Sequence, residues 1–422
     1  MLDIKYIREN KEEVQKNCDN RSANVDVNAL LKLDEEKRNL ETEISALRGK
    51  RKSGSKTKPT EKEIIEIKKI NEEIKLKEQR QDAVSKKFRT MILSMPNLTH
   101  PEVKTSNEEN DNLVMESYKE PKKFDFEFKD HVSLANDLDL IDFDRGIKVA
   151  GAKFYYLKNE LALMEFALIQ YVLSIATKRG FTPFITPDLA KREVLEGLGF
   201  NPRGDSTQIY NIENTDLSLI GTAEITMGGY HMNEVFDESE LPKKYVAVSH
   251  CFRTESGSYS KFSKGIFRVH QFTKVEMFQY TTPDQSEKAH QELLEIEKEI
   301  FKGLDIPFRI IDHCTADLGC PSYRTFDIEV WMPGKPGEKG MGAWAEATST
   351  SNCTDYQSRG LNIKYKDKAG NKNFVHTLNG TAVAMSRALI AIMENYQQKD
   401  GSIIVPKVLR EFMTGKKKII KK

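Results

Sequence analysis

CFRTESGSYSKFSKGIFRVHQFTKVEMF (251–278) decides how this chain is read. The stretch reads as two strands joined by a polar loop, Ser256–Gly265. Side chains alternate faces along a strand, so residues two apart share one. Arg253 and Glu255 then stand together on the first strand. On the second, Arg268, His270, Phe272, Lys274 and Glu276 share one face, and Val269, Val275 and Met277 the other. One face is apolar, as a core layer should be. The polar face admits two readings. It is a solvated sheet face laced with cross-strand ion pairs, or a site floor where Arg253 holds an anion and Phe272 stacks on a flat base. The stretch alone leaves both open.

Working outward, 422 residues suffice for two or three domains and a sizeable core. With 65 basic against 64 acidic residues, no global field steers the chain to DNA or membrane. Any affinity for nucleic acid must be local. No apolar run approaches the ~20 residues of a membrane span. The N-terminus, MLDIKYIRENKEEV, has neither a secretory nor a transit character. Five scattered cysteines without a C-x-x-C pair predict a reduced, cytoplasmic protein and no zinc site.

Residues 1–27 read as a short helix and a connector. Beyond them Leu33, Leu40, Ile44 and Leu47 recur at intervals of seven, four and three. After a break, Ile67, Ile70, Ile74, Val84 and Phe88 keep the rhythm, with Lys77 and Gln81 at the polar steps. That is a heptad seam. The break, GKRKSGSKTKPT (49–60), cannot continue a helix. Two helices with matching seams make an antiparallel coiled-coil arm over about 28–95. Its tip carries Arg48, Lys50, Arg51, Lys52, Lys56 and Lys58 and no acidic residue. Such a run is often only a solvated turn, but a rigid arm with a cationic tip is also what reaching a phosphate backbone requires.

Pro96 and Pro101 end the second helix, and an acidic linker follows. FDFEFKDH (124–131) has period two, and 157–178 is an amphipathic helix running to Gly180. Then come FTPFITPDL (181–189), LSLIGTAE (217–224), the opening hairpin and a helix over 283–303. Strands at 307–313 and 325–332, a Gly/Pro/Lys loop at 333–342, and strands at 345–352 and 374–381 precede a final helix, AVAMSRALIAIMENY (382–396). With no regular βαβ beat, this predicts an α+β domain built on an antiparallel sheet. Neither a Gly-x-Gly-x-x-Gly nor a P-loop is present.

These residues carry a resemblance. SMPNLTHPEV (94–103), GFTPFITPDL (180–189), CFRTES…FRVHQFTKVEMF and TLNGTAVAMSRALIAIMENY (377–396), with LIGTAE, DIEVWMPG and EATSTSNCTDYQSRGL between them, occur in the order seen in seryl-tRNA synthetases. The chain resembles that class II aminoacyl-tRNA synthetase family, of bacterial or organellar type, over nearly its whole length. The resemblance implies an N-terminal tRNA-binding domain over 1–105. It also implies a class II catalytic domain over 106–422, an antiparallel sheet flanked by helices. A homodimer built around Pro187 is implied as well.

The activity it implies is ATP-dependent serine activation and transfer to tRNA(Ser), with tRNA(Sec) left open. ATP would meet Arg253, Thr254, Glu255, Val269, Phe272, Glu346, Ala347, Thr348, Ser349 and Arg387. Arg253 would take the α-phosphate, Glu255 the adenine amino group, and Phe272 and Arg387 the two faces of the ring. L-serine would meet Thr222, Ala223, Glu224, Glu276, Asn379 and Thr381, with Glu276 at its ammonium. Glu346 and Ser349 would contact Mg²⁺. Arg253, Glu276 and Arg387 would carry catalysis, and the arm tip would hold tRNA. The sequence supports Arg387 independently: it is the only charge in Thr381–Met393, and a buried arginine needs an anion or an ion-pair partner. Gly221, Lys264-Gly265-Ile266, Ala345 and Gly360 depart from the family pattern without removing a catalytic group. Two alternatives are a catalytically silent paralogue that binds RNA and a ligase charging a carrier protein. Relatives of the carrier-charging kind lack the arm.

Overall fold

Thr60 starts the second arm helix with a capping box: Glu63 N–H reaches its hydroxyl at 3.4 Å and its own N–H reaches Glu63 Oε2 at 2.6 Å. The computed structural model describes residues 1–53, 60–200, 208–256, 262–337 and 340–421. The chain divides into two units, 1–98 and 99–422. In the first, α1 (Val27–Ser53) and α2 (Glu61–Leu93) form the arm, about 50 Å long at 1.5 Å per residue. Leu40, Ile44, Ile74 and Val84 are buried along its seam. Toward the tip Leu47, Ile67 and Ile70 are only half-buried. Residues 1–27 hold two short helices, Ile4–Glu9 and Lys11–Asn20, where one was expected. Arg8 ties the first to Asp34 of α1 with paired bonds of 2.8 and 2.9 Å.

The second unit is built on an eight-stranded sheet. In chain order its strands are β1 (Leu113–Tyr118), β2 (Thr182–Ile185), β3 (Lys243–Phe252), β4 (Gln271–Thr281), β5 (Phe308–Asp312), β6 (Arg324–Gly337), β7 (Gly340–Asn352) and β8 (His376–Ala384). Their spatial order is β1-β5-β6-β7-β8-β4-β3-β2, antiparallel throughout except for the parallel β2–β3 edge. Helices α3 (Asn159–Lys178), α5 (Ser286–Gly303) and α7 (Met385–Tyr396) contribute to the main core, which takes in Val269, Val275 and Met277. On the opposite face α4 (Ala223–Gly229) and α6 (Tyr356–Leu361) join a second core around Phe278 and Tyr280. That cover stops short of Lys274, and the exposed end of β4 becomes the floor of a cleft.

Several expectations are corrected. The first strand of the opening stretch ends at Phe252 and the second begins at Gln271. Arg253, Glu255, Arg268 and His270 therefore lie on the connection between them, with Glu255 in the left-handed region at φ 51°. Residues 257–261 of the expected loop lie outside the described residues. Thr222 of GTAE caps α4. The two sides of the predicted loop at 333–342 belong to the β6–β7 hairpin, whose pairing shifts register between Met332 and Pro336 and continues to Gly337–Gly340. Ala382–Ala384 belong to β8, so the last helix starts at Met385. FDFEFKDH forms no strand; Phe124 packs on Phe126 and on Phe128 instead. Finally, α3 does have the length and hydropathy of a membrane span. Half of that window is buried, with Leu161, Met164, Leu168 and Val172 in the main core, which marks a core helix.

Candidate active site

Residues from β4, β7, β8, α7 and the β3–β4 connection line a cleft of about 620 Å³, open solvent included. The β3–β4 connection brings Arg253 against Phe272, its guanidinium 5.3 Å from the ring centre. Arg253 Nε donates to the Gly221 carbonyl at 3.3 Å, which aims the head from one edge. Glu255 faces Arg268 at 3.3 Å. Thr254 is turned to Ser256, hydroxyl to hydroxyl at 2.8 Å. Val269 is buried in the core and closes the cleft from below.

Arg387 enters from α7, stacked 3.7 Å over the Phe267 ring. It donates to the carbonyls of Phe267 and Glu346, each at 2.9 Å. Among the described residues no carboxylate lies within ion-pair distance of it, so the predicted partner of this half-buried cation is not a structural ion pair. Burial lowers its pKa to about 10, against the pull of Glu346. A partly desolvated cation held, among the described residues, by neutral carbonyls favours an arriving anion.

Glu346 and Ser349 stand three apart on β7, and plain alternation would put them on opposite faces. The register shows why it does not: Thr348 pairs with Ile328 but Glu346 with Glu329, leaving Ala347 as an extra residue. That β-bulge brings both oxygen side chains to one face, where Glu346 lines the cleft and both act on Asp327 of β6. Ala347 packs in the core, and the Thr348 hydroxyl donates to Glu297 on α5 at 2.9 Å. Among the described residues no group of three or more His, Cys, Asp or Glu forms a metal cage. A carboxylate and a hydroxyl sharing one face fit Mg²⁺ that completes its shell with phosphate oxygens and water.

Deeper in, Glu276 is 1% exposed and lies opposite Thr381, whose hydroxyl donates to it at 3.2 Å. Lys274, two residues along the same face, pairs with the same carboxylate at 2.5 Å. Thr222 accepts from Glu224 N–H at 3.2 Å, while Ala223 is fully buried. Glu224 Oε1 accepts from Gln357 at 2.7 Å and from Asn379 at 3.1 Å. Burial, then the charge of Glu276, raises the Glu224 pKa to about 7.

Phe267, Lys274 and Gln357 escaped the sequence reading. Alternation had already set Lys274 beside Glu276, the one available signal. Gln357 lies inside EATSTSNCTDYQSRGL but shows nothing locally of its reach to Glu224. Gly360 has a physical reason: a Cβ there would sit 1.9 Å from the Gly197 carbonyl oxygen. On the arm, Arg48 pairs with Glu78 at 2.7 Å and Arg51 donates to Asn71 at 3.2 Å. Lys52 is exposed, whereas Lys56 and Lys58 lie outside the described residues.

A fold of this order with such a cleft is that of a class II aminoacyl-tRNA synthetase. Residues 208–396 match the class II core domain model of the G, H, P, S and T synthetases, and residues 1–99 match the seryl-tRNA synthetase N-terminal domain. The chain belongs to the seryl-tRNA synthetase family. It is 50% identical to the serine–tRNA ligase of Treponema denticola over 97% of this chain and 98% of that one. It is 47% identical to the corresponding ligase of Dictyoglomus turgidum, over 98% of each. Among solved structures it is similar to the Pyrococcus horikoshii seryl-tRNA synthetase complexed with ATP, with TM-score 0.87, 38% identity and full coverage of both chains. It also resembles the cytoplasmic Naegleria fowleri enzyme in complex with AMP, with TM-score 0.83, 32% identity and coverage of 100% and 99%.

Proposed function

We propose that this chain is a serine–tRNA ligase that forms seryl-adenylate from L-serine and ATP and transfers the seryl group to the 3′ end of tRNA(Ser). One observation carries the reading. The half-buried Arg253, the carbonyl-held Arg387 and Thr381, which donates to Glu276, converge on one cleft. In the first step a serine carboxylate oxygen attacks the α-phosphorus. A new P–O bond forms as the α–β bridging bond breaks, and pyrophosphate leaves with its electron pair. Positioning and charge neutralisation suffice for this. Arg253 would hold the α-phosphate, Phe272 and Arg387 would sandwich adenine, and Glu255 would accept from its amino group. Glu276 and Glu224 would take the ammonium end, and Thr222, Asn379 and Thr381 the small polar end. Mg²⁺ bound at Glu346 and Ser349 would offset phosphate charge.

We extend the proposal to the arm tip as the tRNA contact, and to tRNA(Sec) as a second substrate, which charging of purified transcripts tests. A homodimer is supported by apolar side chains left in water around FTPFITPDL: Ile185 is 91% exposed and Phe166 64%. Five free cysteines suit the reducing cytoplasm. The direct test is serine-dependent ATP–pyrophosphate exchange by the folded protein. No exchange would defeat the ligase and favour the silent paralogue, against which the retained Arg253, Glu255, Glu276, Glu346 and Arg387 already count.

A further inference from the structure

Lys274 is a cation where the substrate's own cation is expected. It is 5% exposed, pairs with Glu276 Oε2 at 2.5 Å and donates to Thr381 Oγ1 at 3.3 Å. Those two groups are the ones proposed above to receive serine, so the inference rests on that reading. We propose that Lys274 is a specificity-determining positioning residue, which orients the Thr381 hydroxyl so that it presents only an acceptor to the bound amino acid.

The direction follows from hydrogen-bond chemistry. An ammonium has donors and no acceptor. Thr381 must therefore accept from Lys274, and its single proton goes to Glu276, whose carboxylate can only accept. What remains on Thr381 Oγ1 is one lone pair. A ligand group arriving there must donate. The serine hydroxyl does so; alanine brings a methyl group and strands the lone pair, and a thiol donates weakly.

Lys274 also sets the charge of the pocket. Glu276 and Glu224 face it from β4 and α4, and Glu297 from α5 behind the sheet, where burial pushes its carboxyl well above the usual range and favours the neutral form. Arg253 adds a second cation at the mouth of the site. Without Lys274, Thr381 keeps its proton bond to Glu276 but its lone pairs no longer have a fixed direction, and Glu276 has lost its nearest counter-charge. The pocket then distinguishes a hydroxyl from a methyl less well.

The test measures ATP–pyrophosphate exchange with serine and with alanine on the full-length wild type, Lys274→Met and Lys274→Arg. For Lys274→Met we expect the serine KM to rise about tenfold or more, the ATP KM to stay within about twofold, and the serine-over-alanine ratio of kcat/KM to fall by about tenfold or more. Lys274→Arg keeps a donor-only cation and should restore most of that ratio. A folded Lys274→Met with unchanged serine KM and unchanged ratio overturns the proposal. So does a variant that weakens serine and ATP alike, the mark of a merely structural lysine. Should Lys274→Met not fold, Lys274→Gln takes its place, with both a donor and an acceptor at the head: the ratio must fall for Gln and hold for Arg. A wild type with no serine-dependent exchange overturns the functional reading itself, a result distinct from all of these.

Discussion

Gln357 donates to Glu224 Oε1 at 2.7 Å across 133 residues of sequence. Its own amide oxygen accepts from the Thr377 hydroxyl at 2.8 Å, so the amide is held in one orientation with its nitrogen toward the carboxylate. Asn379 adds a donor to the same oxygen at 3.1 Å. The glutamate proposed to meet serine is thus fixed from behind by two neutral donors.

This arrangement has a pH consequence. Burial and the charge of Glu276 favour the neutral form of Glu224, while Gln357, Lys274 and Arg253 favour the ionised one, and the balance lies at about 7. The ionised form attracts serine's ammonium, so the serine KM should rise as pH falls through about 7. Replacing Gln357 with Met removes one group favouring ionisation. The rise should then begin at higher pH, with the ATP KM little changed. Exchange kinetics at a series of pH values measure it, and a serine KM independent of pH would contradict Glu224's role.

Arg253 is the group aimed where phosphate charge develops. Arg253→Ala should cost about 2–4 kcal/mol of transition-state stabilisation in the exchange reaction, in line with other lost oxyanion donors. The protein's thermal midpoint should barely move, since among the described residues the Arg253 side chain makes a 3.3 Å bond to the Gly221 carbonyl and a contact over the Phe272 ring.

The arm tip separates the two half-reactions. Neutralising Lys50, Arg51, Lys52, Lys56 and Lys58 together should leave pyrophosphate exchange intact. It should abolish tRNA charging and flatten its salt dependence, because fewer counterions are released on binding. Charging at the wild-type rate would refute the tip's role.

His290 governs a stability effect away from the chemistry. It is fully buried, stacked on Phe326 with ring centroids 4.9 Å apart, and bonded through Nε2 to the Thr350 carbonyl at 3.0 Å. Burial lowers its pKa from 6.5 to about 4. A histidine depressed in the folded state contributes stability above its unfolded pKa and loses it as pH falls toward the folded one. The loss should therefore fall between pH 6.5 and about 4. His290→Phe strands the Thr350 carbonyl and should cost about 1–3 kcal/mol at neutral pH. That deficit should shrink on acidification, as denaturant melts of both proteins at pH 7 and pH 4.5 would show. A deficit constant with pH would mean that His290 does not stay neutral.

Much was legible in the residues themselves, because it depends on neighbours along the chain. The heptad spacing of Leu40, Ile44, Ile74 and Val84 set the arm, since a helix repeats every 3.6 residues whatever surrounds it. The period-two run from Lys274 to Met277 set which face of β4 is core, and Val275 and Met277 are buried there as alternation requires. Motif order set the family and named the residues of the candidate site.

What the tertiary structure alone decided concerns partners distant in sequence. Whether β3 stops at Phe252 depends on where β4 ceases to pair with it. The bulge at Ala347, which unites Glu346 with Ser349, exists only as a mismatch of β7 against β6. Lys274 had a place in the pattern but no role until β8 set Thr381 beside Glu276, a neighbour 105 residues on. Local periodicity fixes which way a side chain points. What it meets there, and how strongly burial shifts its charge, depends on strand order and the low dielectric of a finished core.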